Sequence, residues 1–243
     1  MNELTRRIIK AEGIQTASNR PPKDAAALVL IDRTCEPPLV LLGRRHKSHI
    51  FLPGKFVFPG GRVEKCDRYI PVCSPIDPQV DAKLKKRPLR QSKTIASALA
   101  LAAIRETFEE TGLMIGTRFA GAPIVSKAPW NEFAKLGFCP DLSVLHFIAR
   151  AITPPRYPRR FDTRFFAADS SAIVHQVENI VHSDAELTEL IWLPIAEALQ
   201  IDMPVVTGLV LSELEARITA GYSHELPVPF YRMRYRRYVR ELL

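Results

Sequence analysis

No stretch of this 243-residue chain approaches the eighteen or more consecutive apolar residues of a membrane span, so no membrane-embedded segment is expected. Cysteine is scarce. Cys35, Cys66, Cys73 and Cys139 form no CxxC pair and have no histidine at zinc-site spacing, which excludes a zinc ribbon or a disulfide scaffold and leaves reduced thiols. The opening residues MNELTRRIIKAEG carry acids and lack an apolar run leading to a small-residue cleavage site, so no secretory signal is expected and the cytoplasm is the default location. Acids are fewer than bases, 26 against 34, and the net charge of +8 fits either a nucleic acid or a small polyanion such as a nucleotide diphosphate.

What is present is ordinary globular composition, 47% hydrophobic and 25% charged, enough for one sizeable core in one elaborated domain over residues 1–243. The stretch around which the rest is organised is Ala102 to Leu113, AAIRETFEETGL. On a helix at about 100° per residue, Glu106, Glu109 and Glu110 share an arc of roughly 100°, with Leu101, Ile104 and Phe108 on the opposite side. Gly112 ends the helix as a C′ residue. Stacked like charges repel by a few tenths of a kcal/mol per exposed pair (~0.2–0.5), so the face calls for a counter-ion. Hard oxygen ligands suit Mg²⁺ or Mn²⁺, which also bind substrate phosphates. The alternative is a solvated acidic face.

The sequence before the helix decides between them. Phe58 to Gly61 reads FPGG, and Asp67 follows Gly61 by six places. Together with the helix these residues resemble the Nudix hydrolase signature GX5EX7REUXEEXGU. Gly61, Arg105, Glu106, Glu109, Glu110, Gly112 and Leu113 match it position by position, whereas Asp67 stands in place of Glu and Thr107 in place of an aliphatic residue. Residues 68 to 104 are about thirty longer than the family's spacer, a lengthening that costs little because loop-closure entropy grows logarithmically. The resemblance implies an α+β fold, the Nudix α/β/α sandwich with a mixed central sheet, carrying an insertion inside the box (residues 68–94) and a C-terminal helical extension (residues 203–243). Residues 1–24 are expected to be an arm with little core content.

The same resemblance implies water attack on a diphosphate phosphorus in a nucleoside diphosphate linked to another moiety, with one to three Mg²⁺ (or Mn²⁺) ions on Glu106, Glu109, Glu110 and the Gly60 or Gly61 carbonyl. Arg105 would orient Glu106. For the general base, the family often uses a glutamate from a loop shortly before a tryptophan-bearing strand. Glu186, six residues before Trp192, fits that position; Glu189 and Glu106 are alternatives. Arg44, Arg45 and Gly61 are the candidate substrate-binding residues. A homodimer is compatible with this reading, and nucleic acid is a less favoured partner than a small nucleotide.

Three features are similar to the larger, insertion-bearing subgroup that includes the peroxisomal coenzyme A diphosphatases: the spacing from Leu41 through Arg45 and Gly54 to FPGG, the stretch RFDTRFF, and the insertion itself. That element's second arginine is Ile50 here, and Lys83 to Arg90 is the expected replacement cation for a 3′-phosphate. ADP-ribose or dinucleotides, RNA ends, and a non-catalytic ligand- or RNA-binding module stay open as alternatives. Elsewhere, strands are expected at Ala25–Ile31, Leu39–Gly43, Phe56–Phe58, Leu142–Ile152, Phe161–Ala167, Val174–Val181 and Leu190–Leu193. Short or amphipathic helices are expected at Trp130–Leu136, Ile195–Leu199 and Val205–Thr219, with Ser92 or Thr94 capping the box helix. The ending PVPFYRMRYRRYVRELL reads as a terminal helix packing its tyrosines inward.

Overall fold

The computed structural model of the chain describes residues 3–12, 16–48, 52–87, 94–119, 121 and 127–243. In chain order the elements are α1 (Glu3–Glu12), β1 (Lys23–Asp32), β2 (Leu39–Arg45), β3 (Phe56–Val57), β4 (Gly60–Arg62), α2 (Pro78–Leu84), α3 (Ile95–Thr111), β5 (Leu113–Ile115) and β6 (Thr117–Arg118). They continue with α4 (Trp130–Lys135), β7 (Phe138–Cys139), β8 (His146–Ile152), β9 (Phe161–Asp169), β10 (Ile173–Gln176), β11 (Leu187–Pro194), α5 (Ile195–Ala198), α6 (Val205–Thr219), β12 (Pro229–Arg234) and β13 (Arg237–Leu242).

The main sheet runs β11-β2-β1-β9-β8-β12-β13, with β3 and β4 paired beside β2 and β1. It is mixed: β1 pairs antiparallel with β2 and β4 but parallel with β9 from Lys23↔Phe161 to Ile31↔Asp169. An unbroken apolar run on a central strand means cover on both faces. Ala26, Leu28 and Leu30 of β1 enter one core with α2, α3 and α4; Ala27, Val29 and Ile31 enter a second core with α5 and α6. The sheet is therefore the middle layer of the expected α/β/α sandwich.

Three expectations change. The arm at residues 1–24 carries α1, whose Thr5 and Ile8 are buried and whose Thr5 Oγ1 accepts a hydrogen bond from the Tyr238 amide. The C-terminal extension is helical only through Thr219; residues 229–242 form the hairpin β12–β13, not a helix. Tyr231 and Tyr238 do face inward, but with strand alternation, while Tyr235 at the tip is 85% exposed. Lastly, Thr94 precedes α3 without a side-chain cap, its hydroxyl accepting instead from Arg68, and Ser92, His49, Ile50 and Arg90 lie outside the described residues.

The insertion holds one short helix, α2, capped by Asp77, whose carboxylate accepts from the amides of Gln79 (2.8 Å) and Val80 (3.3 Å). Val80 and Leu84 anchor it in the first core. Its basic run faces the C-terminal segment. Lys83 donates to the carbonyls of His224 and Leu226, Lys85 pairs with Asp81, and Arg87 pairs with Glu241. At the end of the sheet where β1 and β9 finish, Arg33 grips Asp169 through two 2.6 Å bonds and lies over the Tyr222 ring. His146 stacks against both Tyr222 and His224, with ring centres 4.1 and 4.0 Å away.

Candidate active site

Helix α3 is buried along almost its whole length, so its acidic face meets the β3–β4 turn rather than open water. Gly112 ends it in the left-handed region at φ 77°, its amide donating to Phe108 O at 2.8 Å. The glycine pair FPGG is explained by contact. A Cβ on Gly60 would lie 2.6 Å from the Ala26 carbonyl oxygen of the paired strand. One on Gly61 would lie 2.4 Å from the Glu106 carboxyl carbon. The Gly60 amide donates to Glu110 at 3.1 Å.

Behind this face Arg105, 3% exposed, is the hub of a buried network. Its Nε and Nη2 donate to Asp67 at 3.0 and 3.2 Å, its Nη1 to Glu106 at 2.9 Å and Glu109 at 2.8 Å, and its Nη2 also to the Arg62 carbonyl at 2.9 Å. Asp67, which stands where the family has a longer acid, is fully buried and also accepts from the Glu64 amide at 2.7 Å. Burial works against the Arg105 charge, but Asp67, Glu106 and Glu109 hold its pKa above the ordinary value. Thr107, the other departure, is also fully buried and bonds its hydroxyl to the Ala103 carbonyl at 2.8 Å, which satisfies it inside the helix.

Glu106 and Glu110 border a cleft of about 700 Å³, along with Gly60, Gly61, Arg45 and Glu186. Burial pushes the Glu106 carboxyl up to about 7, with Arg105 pulling it down and Glu109 and Glu186 pushing it further up. Burial likewise raises the Glu110 carboxyl well above the usual carboxylate range, reinforced by Glu186 and Glu106 and opposed by Arg45 and the Gly60 amide. Three mutually repelling carboxylates on one wall, two of them desolvated, are what a divalent cation would stabilise, so the donor set fits Mg²⁺ or Mn²⁺. Among the described residues no group of three His, Cys, Asp or Glu side chains is placed to hold a metal ion by itself, and Glu109 leans to Arg105 instead of the cleft. An open half-site of that kind suits an ion that keeps waters and takes substrate phosphate oxygens.

The two arginines and two glutamates named from sequence separate by strand alternation. Arg45 turns into the cleft and meets Glu186 at 2.8 Å, and the Glu186 carbonyl accepts the His46 amide at 3.0 Å. Arg44 lies over the Phe56 ring and pairs with Glu189 at 3.1 Å, and neither Arg44 nor Glu189 borders the cleft. In the sheet register Glu189 lies opposite Arg44 and Leu187 opposite Arg45, with an irregularity between them, and Glu186 immediately precedes β11.

Sequence reasoning missed the far wall of the cleft. Arg20 and Lys23 from the arm and Arg159 and Arg160 from the β8–β9 turn border it. Arg160 ties the two segments together through Asn19 Oδ1 at 2.9 Å and the Arg20 carbonyl at 2.7 Å. The turn TPPRYPRR held the signal, cations clustered among prolines, but its position relative to the box is a tertiary fact. Conversely, Lys83 to Arg87 does not border the cleft. Within the RFDTRFF stretch Arg160, Phe161, Thr163 and Phe165 border the cleft, while Asp162 is fully buried between Arg150 (2.8 and 2.6 Å) and Arg164 (3.1 Å).

A mixed sheet between helical layers, with a glycine turn set against a helical row of box carboxylates, defines a Nudix-fold protein. Known proteins agree. The structure of a NUDIX hydrolase from Alicyclobacillus acidocaldarius aligns with TM-score 0.62 and 27% identity, covering 85% of this chain and 96% of that one. The Caenorhabditis elegans protein named as nudix hydrolase 7 is 26% identical over 183 residues, 70% of this chain and 51% of the relative, so the chain spans about half the length of that protein. No family model matches the chain. In box, fold and sequence the chain is similar to Nudix hydrolases.

Proposed function

We propose that the chain is a metal-dependent diphosphatase, hydrolysing a nucleoside diphosphate linked to another moiety. The observation that carries this reading is the cleft itself, whose lining combines desolvated Glu106 and Glu110 and the nearby Glu186 with the cations Arg20, Lys23, Arg159 and Arg160. Glu106, Glu110 and the Gly60 carbonyl, with Glu109 turning from Arg105 to join them, are the proposed ligands of Mg²⁺ or Mn²⁺, and a bound ion would supply charge neutralisation on the phosphoryl oxygens and acidify water. Arg45 and the backbone at Gly61 steady the diphosphate, and Arg105 fixes the Glu106 carboxylate. With Glu186 Oε1 on Arg45, Oε2 takes the proton of the attacking water. The water oxygen bonds to phosphorus, the bridging P–O bond breaks, and the leaving phosphate carries away the electron pair.

Within that class coenzyme A or an acyl derivative is the proposed substrate, cleaved to 3′,5′-ADP and the phosphopantetheine portion. The spacing from Leu41 to FPGG supports it. The cations available to a 3′-phosphate are those of the far wall, not Lys83 to Arg87. Turnover of coenzyme A, its dephospho form and ADP-ribose with Mg²⁺ tests both levels. Coenzyme A is expected to exceed ADP-ribose at least about tenfold in kcat/KM, roughly 1.4 kcal/mol, which one charge-assisted contact supplies. No Mg²⁺-dependent turnover of any diphosphate overturns the activity; equal turnover of the dephospho form overturns only the coenzyme A assignment.

A further inference from the structure

Beside the catalytic cleft lies a second, smaller cavity of about 70 Å³ with a different lining. Ile8 of α1, Ala151 of β8, Leu209 of α6 and the Tyr238 ring of β13 enclose it, and the Tyr238 hydroxyl is directed away to the Ile152 carbonyl at 3.5 Å. Leu52, Thr163, Phe165, Pro204 and Val206 border both spaces, so the two lie side by side across these residues. Among the described residues no side chain that is charged at neutral pH borders the annex, whereas glutamates and arginines border the cleft.

This juxtaposition sorts a substrate by chemistry. A diphosphate needs the metal-binding wall and the cations, and whatever is joined to it must leave along the cleft. The annex offers that second moiety a largely apolar seat, so that each methylene buried there favours binding. We infer that the annex is a specificity pocket for an apolar chain on the non-nucleotide side of the diphosphate, so that the preferred substrates end in an aliphatic group rather than a second sugar or nucleoside. This rests on the diphosphatase reading above. It also gives α1 a role, because Ile8 closes the annex from the arm. Leu209 and Ala151 border the annex alone and do not touch the cleft.

The test is a series of alkyl esters of ADP, methyl to octyl, assayed with Mg²⁺ on the full chain and on Leu209→Trp and Ala151→Leu. In the unaltered protein kcat/KM is expected to rise at least tenfold from methyl to butyl and then level off. Either variant is expected to remove the rise while the methyl ester keeps its turnover, a pattern that a folding defect would not give. A flat series in the unaltered protein, with every ester cleaved, overturns the annex and leaves the diphosphatase reading standing. Failure to cleave any ester, with the α,β-methylene butyl analogue binding no more tightly than the methyl analogue by calorimetry, overturns both. Tighter binding of the butyl analogue, lost in Leu209→Trp, would support the annex independently of turnover.

Discussion

Gly61 and Glu106 meet so closely that a single methyl group cannot come between them: a Cβ at position 61 would stand 2.5 Å from both carboxylate oxygens of Glu106. The helix cannot retreat, because Arg105 beside it is bonded to Asp67, Glu109 and the Arg62 carbonyl. Gly61→Ala is therefore expected to swing the Glu106 carboxylate off its position, lowering kcat by on the order of a hundredfold while the fold survives. Steady-state kinetics with circular dichroism checks it, and unchanged kcat would mean that the Glu106 position is not critical.

Asp67 holds a buried cation by two bonds, and its cavity fits an aspartate. Asp67→Ala leaves Arg105 charged and short of its main partner, with an expected loss of about 3–5 kcal/mol. Restoring the family's usual acid is predicted not to help: Asp67→Glu adds a methylene to a fully buried site and should cost about 1–3 kcal/mol. Urea unfolding of both variants gives the comparison. A stabilised Asp67→Glu protein would refute the packing argument.

Glu186 meets Arg45 in the cleft lining, whereas Glu189 pairs with Arg44 outside it. Glu186→Gln is expected to lower kcat by about 10²–10⁴-fold, the usual range for loss of a general base. Glu189→Gln should change it less than about threefold, since it removes only an exposed partner of Arg44. The reverse order of effects would assign the proton transfer to the other glutamate.

His146, packed against Tyr222 and His224, makes stability depend on pH. Burial first, then the neighbouring His224, Arg217 and Arg33, pushes its pKa down to about 4 against the opposing pull of Asp169. The unfolded chain, with an ordinary histidine near 6.5, binds more protons between those two values, so stability falls as pH drops from about 6.5 toward 4. Because the ring is only partly enclosed, about 1–2 kcal/mol is expected rather than the full shift. Urea midpoints at pH 7.5 and 4.5 for the unaltered protein and for His146→Phe give the measurement: the variant should lose less on acidification.

Legibility from sequence followed the range of the interactions. The three glutamates were readable because helical spacing and FPGG are local, and β1 because an apolar run of that length has one use in a sandwich. The hairpin β12–β13 was not. Its turn residues Tyr235 and Arg236 sit at φ 47° and 61°, a left-handed pair usually marked by Asn-Gly, so the turn signal was missing. The contributions of Arg20, Lys23, Arg159 and Arg160 were equally hidden, since the arm and the β8–β9 turn are brought to the box by the pairing of β1 with both β4 and β9 and by bonds such as Arg160 to the Arg20 carbonyl. Strand alternation separated Arg44 from Arg45, which a list of neighbouring cations could not do.

The last strand also bears on self-association. β13 ends the sheet, and the border of a sheet offers its amides and carbonyls to any strand that meets it. Around this border Arg232, Arg234 and Arg87 share Glu241, Arg240 takes Glu213, and Arg236 and Arg237 stand exposed. Two copies meeting edge to edge would bring this excess of positive charge together. The residues that look, in composition, like a polyanion tail thus set like charges against edge-to-edge pairing, on a border whose Tyr238 amide is already taken by Thr5 of α1.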